Sequence, residues 1–379
     1  MTKTYNSNSK VYFENLNTIR FIAASLVIIH HIEQFKNIFH IPNIWDDKTI
    51  LIIGNLGVIL FFVLSGFLIS FLLFKEKEVT NTICIKNFYM RRILRIWPLY
   101  FLIVLSAFFI FPFINFFSLP GLGSNVVLNN LGYKLLLFVF FLPNANFFGL
   151  IPYASQTWSI GAEEQFYLIW PVLNKKINRK WLLMISVIFI YLFIKTVNLF
   201  LVDNVYVNIY KNFFDKAPIQ CMAIGGLFAM VVYENRPIVF FLRKILFNKF
   251  FQWVVLFLTL FLVYKGFNIG FFQYEFYSIL FGIIIINFAS NPNRIFSMEY
   301  QVFNYLGKIS YGLYMFHPIV IVFSIKLLQF LNCQLNYILY PLIFIIIIII
   351  SSFSYEYFEK IFINKKEKYS DIISGDNAK

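Results

Sequence analysis

The stretch LIIGNLGVILFFVLSGFLISFLLF, residues 51–74, decides the fold class because it contains no charged side chain. A helix needs about 20 predominantly apolar residues to cross the hydrocarbon core of a bilayer, so this stretch is predicted to be a transmembrane helix. Gly54, Gly57, Ser65 and Gly66 lie within it. Small residues let neighbouring helices approach closely, and these are predicted to serve packing rather than phosphate binding.

The rest of the chain also has the composition of a membrane protein. Of its 379 residues, 60% are hydrophobic and 13% are charged, whereas a soluble domain carries about 25% charged residues. The chain is therefore predicted to be an all-α, polytopic transmembrane helical bundle. The apolar runs long enough to cross are 17–37, 51–74, 96–117, 131–150, 153–173, 181–202, 217–233, 250–267, 272–290, 309–330 and 337–359.

The charge pattern predicts the orientation of this bundle. The chain has 32 Lys and Arg residues against 18 Asp and Glu residues. The Lys and Arg residues cluster in short segments between apolar runs. This pattern favours cytoplasmic loops over a nucleic-acid-binding surface. The segment 75–95 holds six Lys and Arg residues, whereas 118–130 has none, so the first is expected inside and the second outside. Both termini are then cytoplasmic, in a multi-pass protein of the inner (plasma) membrane.

One of two neighbouring runs, 131–150 and 153–173, is not expected to cross. If both crossed, the basic loop NKKINRK (174–180) would lie outside, against the positive-inside rule. The weaker run is 131–150, because it contains Lys134 and leads into a segment rich in Pro, Asn and Gly. Irregular backbone at depth is tolerated where it lines a cavity. This run is predicted to be re-entrant or interfacial, which leaves about ten spans.

The spans are interpreted as one domain. Residues 17–363 form the transmembrane domain, and residues 1–16 and 364–379 are interpreted as cytoplasmic tails. The three cysteines are widely spaced without a CxxC pair. Neither a disulfide framework nor a metal site is predicted.

Ionisable side chains at bilayer depth are functional by default, because each costs about 2.5–3.5 kcal/mol to insert. The stretch TWSIGAEEQFYLIWP (157–171) carries Glu163 in the middle of a predicted span. Arg20 and His31 are eleven residues apart in the first span, close to three helical turns, and therefore share a face. A carboxylate beside an imidazole suits proton transfer. Glu163 is predicted to be the partner of a His31 base; the alternative is a polar pair that joins two helices.

The stretch FYMRRILRIWPLYF (88–101) sets Arg91, Arg92 and Arg95 at a predicted cytoplasmic boundary. Arg91 and Arg95 are four residues apart, on one helical face. Guanidinium groups bind phosphate oxygens bidentately, so these residues suit a polyphosphate. The alternative is an anchor for anionic lipid headgroups.

The stretch LGKISYGLYMFHP (306–318) adds Tyr311 and His317 as further candidate site residues. A lone helical His before a proline favours a structural hydrogen bond. Metal binding is not predicted, because no second clustered His accompanies it.

Five of these stretches resemble, in their order along the chain, the acyltransferase-3 family of integral membrane enzymes. The resemblance implies transfer of an acyl group, usually acetyl from acetyl-CoA, to hydroxyls of cell-surface polysaccharides, glycolipids or related carbohydrates. The five stretches are 17–31, 54–69, 88–101, 157–171 and 306–318. The family motifs fall on Arg20 and His31, on Trp158, Ser159 and Glu163, and on Arg91, Arg92 and Arg95.

Together, the residues and the resemblance imply a mechanism. Acetyl-CoA is a donor substrate, not a bound cofactor, and its phosphates are expected at Arg20 and the three arginines of 88–101. His31, oriented by Glu163, either deprotonates the acceptor hydroxyl or itself carries the acetyl group. The expected partners are acyl-CoA, a carbohydrate or glycolipid acceptor and membrane lipid, without nucleic acid.

Two alternatives remain at this point. In a proton-coupled transporter or flippase for a glycan or glycolipid, Arg20, His31 and Glu163 would relay protons. In a non-catalytic partner of a glycan synthase complex, the arginines would be simple anchors.

Overall fold

The computed structural model describes residues 10–145, 151–333 and 336–375, and within them the fold is an almost entirely helical bundle. The predicted all-α class is confirmed. The α-helices are α1 (Leu16–Ile38), α2 (Lys48–Thr80), α3 (Ile85–Phe109), α4 (Ser124–Leu128), α5 (Leu131–Val139), α6 (Trp158–Lys176), α7 (Lys180–Phe200), α8 (Val205–Asp215), α9 (Ile219–Tyr233), α10 (Pro237–Leu246), α11 (Lys249–Tyr264), α12 (Gln273–Ser290), α13 (Gln301–Lys308), α14 (Ser310–Phe330), α15 (Asn336–Ser354) and α16 (Lys360–Ile363).

Short elements complete the described residues. A π-helical turn, Tyr355–Glu359, joins α15 to α16. Two two-residue strands, β1 (Lys10–Val11) and β2 (Ile373–Ser374), pair in parallel. The 3₁₀ turns are Phe111–Phe113, Asn115–Phe117, Pro143–Ala145, Ser155–Thr157, Gly270–Phe272 and Asn364–Tyr369.

Among the described residues, seven helical segments are long and apolar enough to cross a membrane, and the number is eight if a bent pair, α10 with α11 at 63°, forms one span. The predicted count of about ten is not confirmed. The remaining two predicted spans, α1 and α6, have 23 and 19 residues, but polar and charged side chains lower their apolar content. The seven segments are Lys48–Thr80, Ile85–Phe113, Lys180–Phe200, Val205–Tyr233, Gly270–Ser290, Ser310–Phe330 and Asn336–Tyr369.

The described part of the segment expected to be re-entrant or interfacial, residues 131–145, contains the short helix α5 and the 3₁₀ turn Pro143–Ala145. Helix α5 has nine residues, a rise of about 13 Å, which is too short to cross. Residues 146–150 of this segment lie outside the described residues.

The basic loop 174–180 follows the C-terminal end of α6. The Lys77 ammonium donates to the carbonyl oxygens of Asn174 and Lys175 and to the Asn178 side chain. The basic loop 174–180 therefore lies beside the end of α2, as the charge pattern requires.

Helix α2 lies at the centre of the bundle and packs closely on α9. A Cβ added at Gly66 would lie 1.9 Å from the Met222 carbonyl oxygen, and one at Gly225 would lie 2.1 Å from the Val63 carbonyl oxygen. Only glycine permits the two backbones to approach this closely. The predicted packing role of Gly66 is confirmed.

Residues of both predicted tails pack against the bundle. Lys10 pairs with Ile373 and Val11 with Ser374 in the parallel ladder. We call residues 364–375 the C-terminal segment. Residues 1–9 and 376–379, the outer parts of the two predicted tails, lie outside the described residues.

Candidate active site

A cavity of about 430 Å³ lies among α1, α2, α3, α6, α14 and the C-terminal segment. This volume is typical of a small-molecule site. Its wall is apolar along α2, where Val58, Phe61, Leu64 and Leu68 face it, and strongly cationic elsewhere. Glu163 and Glu367 are its carboxylates. We call it the basic cavity, because its cationic side chains are Arg20, Arg92, Arg95, Lys308, Lys360 and Lys366.

Two of the predicted phosphate-binding arginines, Arg92 and Arg95, line the basic cavity. The Arg92 guanidinium carbon lies 5.8 Å from the ring centroids of both Phe88 and Tyr167, and its buried Nε finds no acceptor among the described residues. Glu163 and Glu164 interact electrostatically with this guanidinium, but its Nε hydrogen still lacks an acceptor among the described residues. A buried donor without an acceptor is costly, so the arrangement suits an anionic ligand.

The third arginine, Arg91, does not line the cavity. Its Nη2 pairs with a Glu76 carboxylate oxygen at 2.7 Å, and its Nη1 donates to the Tyr369 carbonyl oxygen at 2.6 Å. Sequence reasoning grouped Arg91 with Arg95 because they are four residues apart. The structure separates them: Arg91 joins α2, α3 and the C-terminal segment.

Glu163 faces the basic cavity from α6. Its carboxylate accepts a hydrogen bond of 2.7 Å from the Ser65 hydroxyl of α2, and the Tyr167 hydroxyl lies 3.2 Å from the same Ser65 oxygen. In the described part of the chain, no hydrogen bond connects Glu163 to His31. The expected partner of Glu163 is thus replaced, in this conformation, by a serine.

His31 lies on α1 beyond the cavity, and its contacts fix its tautomer. Its Nδ1 is 2.9 Å from the Val27 carbonyl oxygen. A carbonyl can only accept, so in the neutral imidazole Nδ1 carries the hydrogen and Nε2 keeps its lone pair. The ring lies 4.7 Å from that of His317 and 5.1 Å from that of His30. We call these three residues the histidine layer.

His317 is fully buried, and a proline explains its orientation. Pro318 has no N–H, so the carbonyl of Tyr314, four residues earlier, loses its usual helical donor. The His317 Nδ1 donates to that carbonyl at 2.5 Å. This bears out the structural hydrogen bond expected for a helical His before a proline. Its Nε2 is buried and reaches no partner in the described ranges.

Tyr314 connects the histidine layer to the basic cavity. It lines the cavity, and its hydroxyl is 2.7 Å from the Ser159 hydroxyl of α6. Ser159 lies one helical turn before Glu163, so both face the same side of α6. His31, His317, Tyr314, Ser159 and Glu163 thus lie in sequence between the two regions. Among the described residues, however, the Tyr314–Ser159 contact is the one side-chain hydrogen bond between successive members, and the Tyr314 hydroxyl also donates to the Gln156 carbonyl oxygen at 2.9 Å.

Three other candidates have mainly structural contacts. The Tyr311 hydroxyl lines the cavity and donates to the Ile96 carbonyl oxygen at 2.9 Å. Trp158 packs against Phe62, with ring centroids 6.3 Å apart, outside the cavity lining. His30 belongs to the histidine layer, and its Nδ1 donates to the Ile50 carbonyl oxygen at 2.7 Å.

Sequence reasoning missed several residues of the site. Ser65 was assigned to packing, although a hydroxyl among glycines was a usable signal. Tyr314, three residues before His317, shares its helix face. No sequence signal pointed to Lys366, because a basic stretch near the end of the chain is typical of a solvated tail. No group of three or more potential metal ligands occurs among the described residues.

These features define a multi-pass membrane protein with a polar site at the inner end of a cationic cavity. The sequence model of the acyltransferase domain family (Acyl_transf_3) matches residues 13–356. The chain belongs to this family, as the five stretches predicted. No solved structure matches it.

Named relatives share parts of the chain. The peptidoglycan O-acetyltransferase OatA of Listeria monocytogenes is 29% identical over 166 residues, 43% of this chain and 24% of the relative. "Putative O-acetyltransferase SACOL0978" of Staphylococcus aureus is 28% identical over 182 residues, 45% of this chain and 26% of the relative. "Putative acetyltransferase ORF330" of Acidianus two-tailed virus is 27% identical over 274 residues, 70% of this chain and 72% of the relative. The chain thus spans about a quarter of the length of the first two.

Proposed function

We propose that this protein is an O-acetyltransferase of the plasma membrane, which moves an acetyl group from acetyl-CoA to a hydroxyl of a cell-surface carbohydrate. The observation that carries the proposal is the basic cavity. Its lining combines the cationic side chains named above, which we call the mouth, with the apolar wall of α2 and the Glu163 carboxylate. Acetyl-CoA has the matching parts: phosphates, an extended pantetheine arm and a thioester at its end. The names of the relatives support acetyl as the transferred group and a cell-wall carbohydrate as the acceptor.

The proposed orientation has both termini and the cavity mouth in the cytoplasm, where acetyl-CoA is made. Arg92, Arg95 and the basic loop 174–180 are then on the inner side, in agreement with the positive-inside rule. The histidine layer is deeper, towards the outer side. Donor and acceptor would thus approach the reaction from opposite ends of one path.

In the proposed donor complex, phosphate oxygens bind the guanidinium groups of Arg20, Arg92 and Arg95 through charge-assisted hydrogen bonds. The pantetheine arm follows the apolar wall of α2 towards Glu163. Contacts remote from the thioester act mainly on donor affinity, because they are equally strong in the ground and transition states.

His31 is the proposed base or acyl carrier, and its free Nε2 suits both roles. As a base, Nε2 takes the proton of the acceptor hydroxyl while the hydroxyl oxygen attacks the thioester carbonyl. The C–S bond breaks, CoA leaves as a thiolate, and the proton on His31 neutralises it. As a carrier, Nε2 itself attacks the carbonyl, the C–S bond breaks and CoA leaves as a thiolate. The acceptor oxygen then attacks the acetyl carbon, the C–N bond to Nε2 breaks, and the hydroxyl proton passes to the thiolate.

Glu163 is the proposed carboxylate partner of this step. It stabilises positive charge on His31 through the low-dielectric interior, either across the series Ser159, Tyr314 and His317 or by closing onto His31 when the donor is bound. Its hydrogen bond from Ser65 keeps the carboxylate directed into the cavity.

Analysis of the cell envelope tests the proposed acceptor class. Surface carbohydrate is extracted from a strain that lacks the gene and from the same strain complemented with the wild-type chain or with His31→Ala. Base-labile acetyl esters should be present only after wild-type complementation. Equal ester content in all three strains would contradict the proposal.

A further inference from the structure

We propose that the C-terminal segment is part of the donor site, and that Lys366 binds a phosphate group of acyl-CoA together with Arg92 and Arg95. The inference rests on the proposed function for the identity of the ligand. Residues 364–375 lie beyond the range 13–356 that the family matches, so family membership assigns them no role. The sequence alone predicts a cytoplasmic tail for residues 364–379.

The C-terminal segment is fixed at both of its ends. Near its start, the 3₁₀ turn Asn364–Tyr369 is held to α3 by Arg91, which donates to the Tyr369 carbonyl oxygen at 2.6 Å. Near its end, β2 pairs in parallel with β1. Arg91 is itself positioned by Glu76 of α2. The segment thus crosses the mouth of the cavity as a tethered strap.

This strap contributes directly to the cavity lining. Asn364, Lys366, Glu367, Ser374 and Gly375 all face the cavity. The strap therefore adds one cation, Lys366, and one carboxylate, Glu367, to a lining that already contains arginines from α1 and α3.

The charges around Lys366 favour an anionic ligand. The guanidinium groups of Arg95, Arg92, Arg91 and Arg20 are near enough to repel its ammonium group, and of these Arg91 is paired with Glu76. Within the described ranges, neither Lys366 nor Arg95 has a carboxylate in hydrogen-bonding contact. Like charges held together in a partly buried site cost free energy, and a polyanion offsets that cost.

Carboxylates neutralise part of the positive charge of the basic cavity, but none of them pairs with Lys366 in the described ranges. Lys360 pairs with Glu356, and Glu359 interacts electrostatically with Arg95 while its own carboxylate accepts from Ser354. Lys366 has no comparable pair among the described residues. An ammonium group suits a phosphate as a compact point charge beside the planar guanidinium forks.

Equilibrium binding of coenzyme A tests the inference. The full chain is placed in nanodiscs of zwitterionic lipid and titrated with coenzyme A by calorimetry. Lys366→Ala should weaken binding roughly tenfold or more, because it removes a charge-assisted hydrogen bond. Lys366→Arg should retain most of the affinity. Lys368→Ala is the matched control, since Lys368 is exposed on the same turn and does not line the cavity.

Limited proteolysis gives a second readout, which begins with the wild-type chain. Coenzyme A should protect the wild-type chain from trypsin cleavage after Lys365 and Lys368, because the bound polyanion holds the strap against the mouth. Protection should be lost in Lys366→Ala that keeps the wild-type melting temperature.

Three results would overturn the inference in distinguishable ways. If the wild type binds coenzyme A and Lys366→Ala binds it equally, Lys366 is not part of the donor site. If the affinity differs only after anionic lipid is added to the nanodiscs, the site binds lipid headgroups instead. If the wild type itself does not bind coenzyme A, the proposed donor fails, and this inference fails with it.

Discussion

The basic cavity and the histidine layer lie next to each other and are built in opposite ways. The cavity brings together cations from separate helices and leaves Arg92 and Arg95 without carboxylate hydrogen bonds among the described residues. In the histidine layer, each ring donates from Nδ1 to a backbone carbonyl and packs on another ring. A site of the first kind suits a large anion, whereas one of the second kind keeps a neutral base in a fixed tautomer. In the proposed mechanism, this difference separates donor binding, in the cavity, from proton or acetyl transfer, in the histidine layer.

The largest expected effect is at His31. His31→Ala should lower acetyl transfer roughly 10²–10⁴-fold, the typical contribution of a positioned acid–base group, while coenzyme A binding stays unchanged. His30→Ala is the matched control and should keep most activity, because the His30 ring packs on His31 but its Nδ1 bonds to the Ile50 carbonyl and takes no part in the proposed proton or acetyl transfer. Single-turnover rates with a soluble sugar acceptor measure both. Equal losses in the two variants would indicate helix packing rather than chemistry.

Glu163→Gln should give the next largest loss, about 10²-fold in turnover, with the protein still folded and inserted. The amide keeps a hydrogen-bond acceptor for Ser65 but removes the charge. If the two residues act as one unit, His31→Ala with Glu163→Gln should be little worse than His31→Ala alone. Multiplied losses in the double variant would show that the cavity and the histidine layer act independently.

The arginines should divide into two classes. Arg92→Ala with Arg95→Ala should raise the acetyl-CoA KM about 10- to 100-fold with a smaller change in turnover, because phosphate contacts act as uniform binding. Arg91→Ala should instead lower the melting temperature, since it leaves Glu76 without its cation. Matched kinetics and melting curves measure the division. An unchanged KM in the first variant would make the cavity arginines lipid anchors.

Tyr314→Phe tests the connection between the two regions and should have a modest effect. It removes a hydroxyl that contacts Ser159 at 2.7 Å, which is worth about 0.5–1.5 kcal/mol, or a few-fold to tenfold in rate. Ser159→Ala should give a similar loss, and the two losses should not multiply. Full activity in Tyr314→Phe would remove this series of groups from the mechanism.

Thiol labelling of single-cysteine variants determines which side of the bundle faces the cytoplasm. The cysteine substitutions themselves should leave activity unchanged. On a background without Cys84, Cys221 and Cys333, an impermeant thiol reagent should label Asn125→Cys in intact cells and spare Asn178→Cys. Asn125 is exposed on α4, and Asn178 contacts Lys77 at the other side of the bundle. Labelling of Asn178→Cys but not Asn125→Cys would reverse the orientation.

The sequence predicted the helical class, the close packing at Gly66 and the family, because uninterrupted apolar runs and glycine spacing are local signals. It did not predict which polar residues meet. The separation of Arg91 from Arg95, and of His31 from Glu163, depends on how α1, α3 and α6 pack around α2. The role of Lys366 depends on a strand pairing between residues more than 360 apart, Lys10 and Ile373. The packing of helices around α2 and the pairing of distant strands are both tertiary features, and the helical period of a sequence does not encode them.

Cleavage of radiolabelled acetyl-CoA by the purified protein is the strictest test of the proposed acetyl transfer. The wild type, supplied with an acceptor sugar, should release free coenzyme A. Release should fall to the background rate in His31→Ala, and Arg92→Ala with Arg95→Ala should regain release when the donor concentration is raised. Release by His31→Ala at the wild-type rate, or no release by the wild type with any carbohydrate acceptor, would contradict the account.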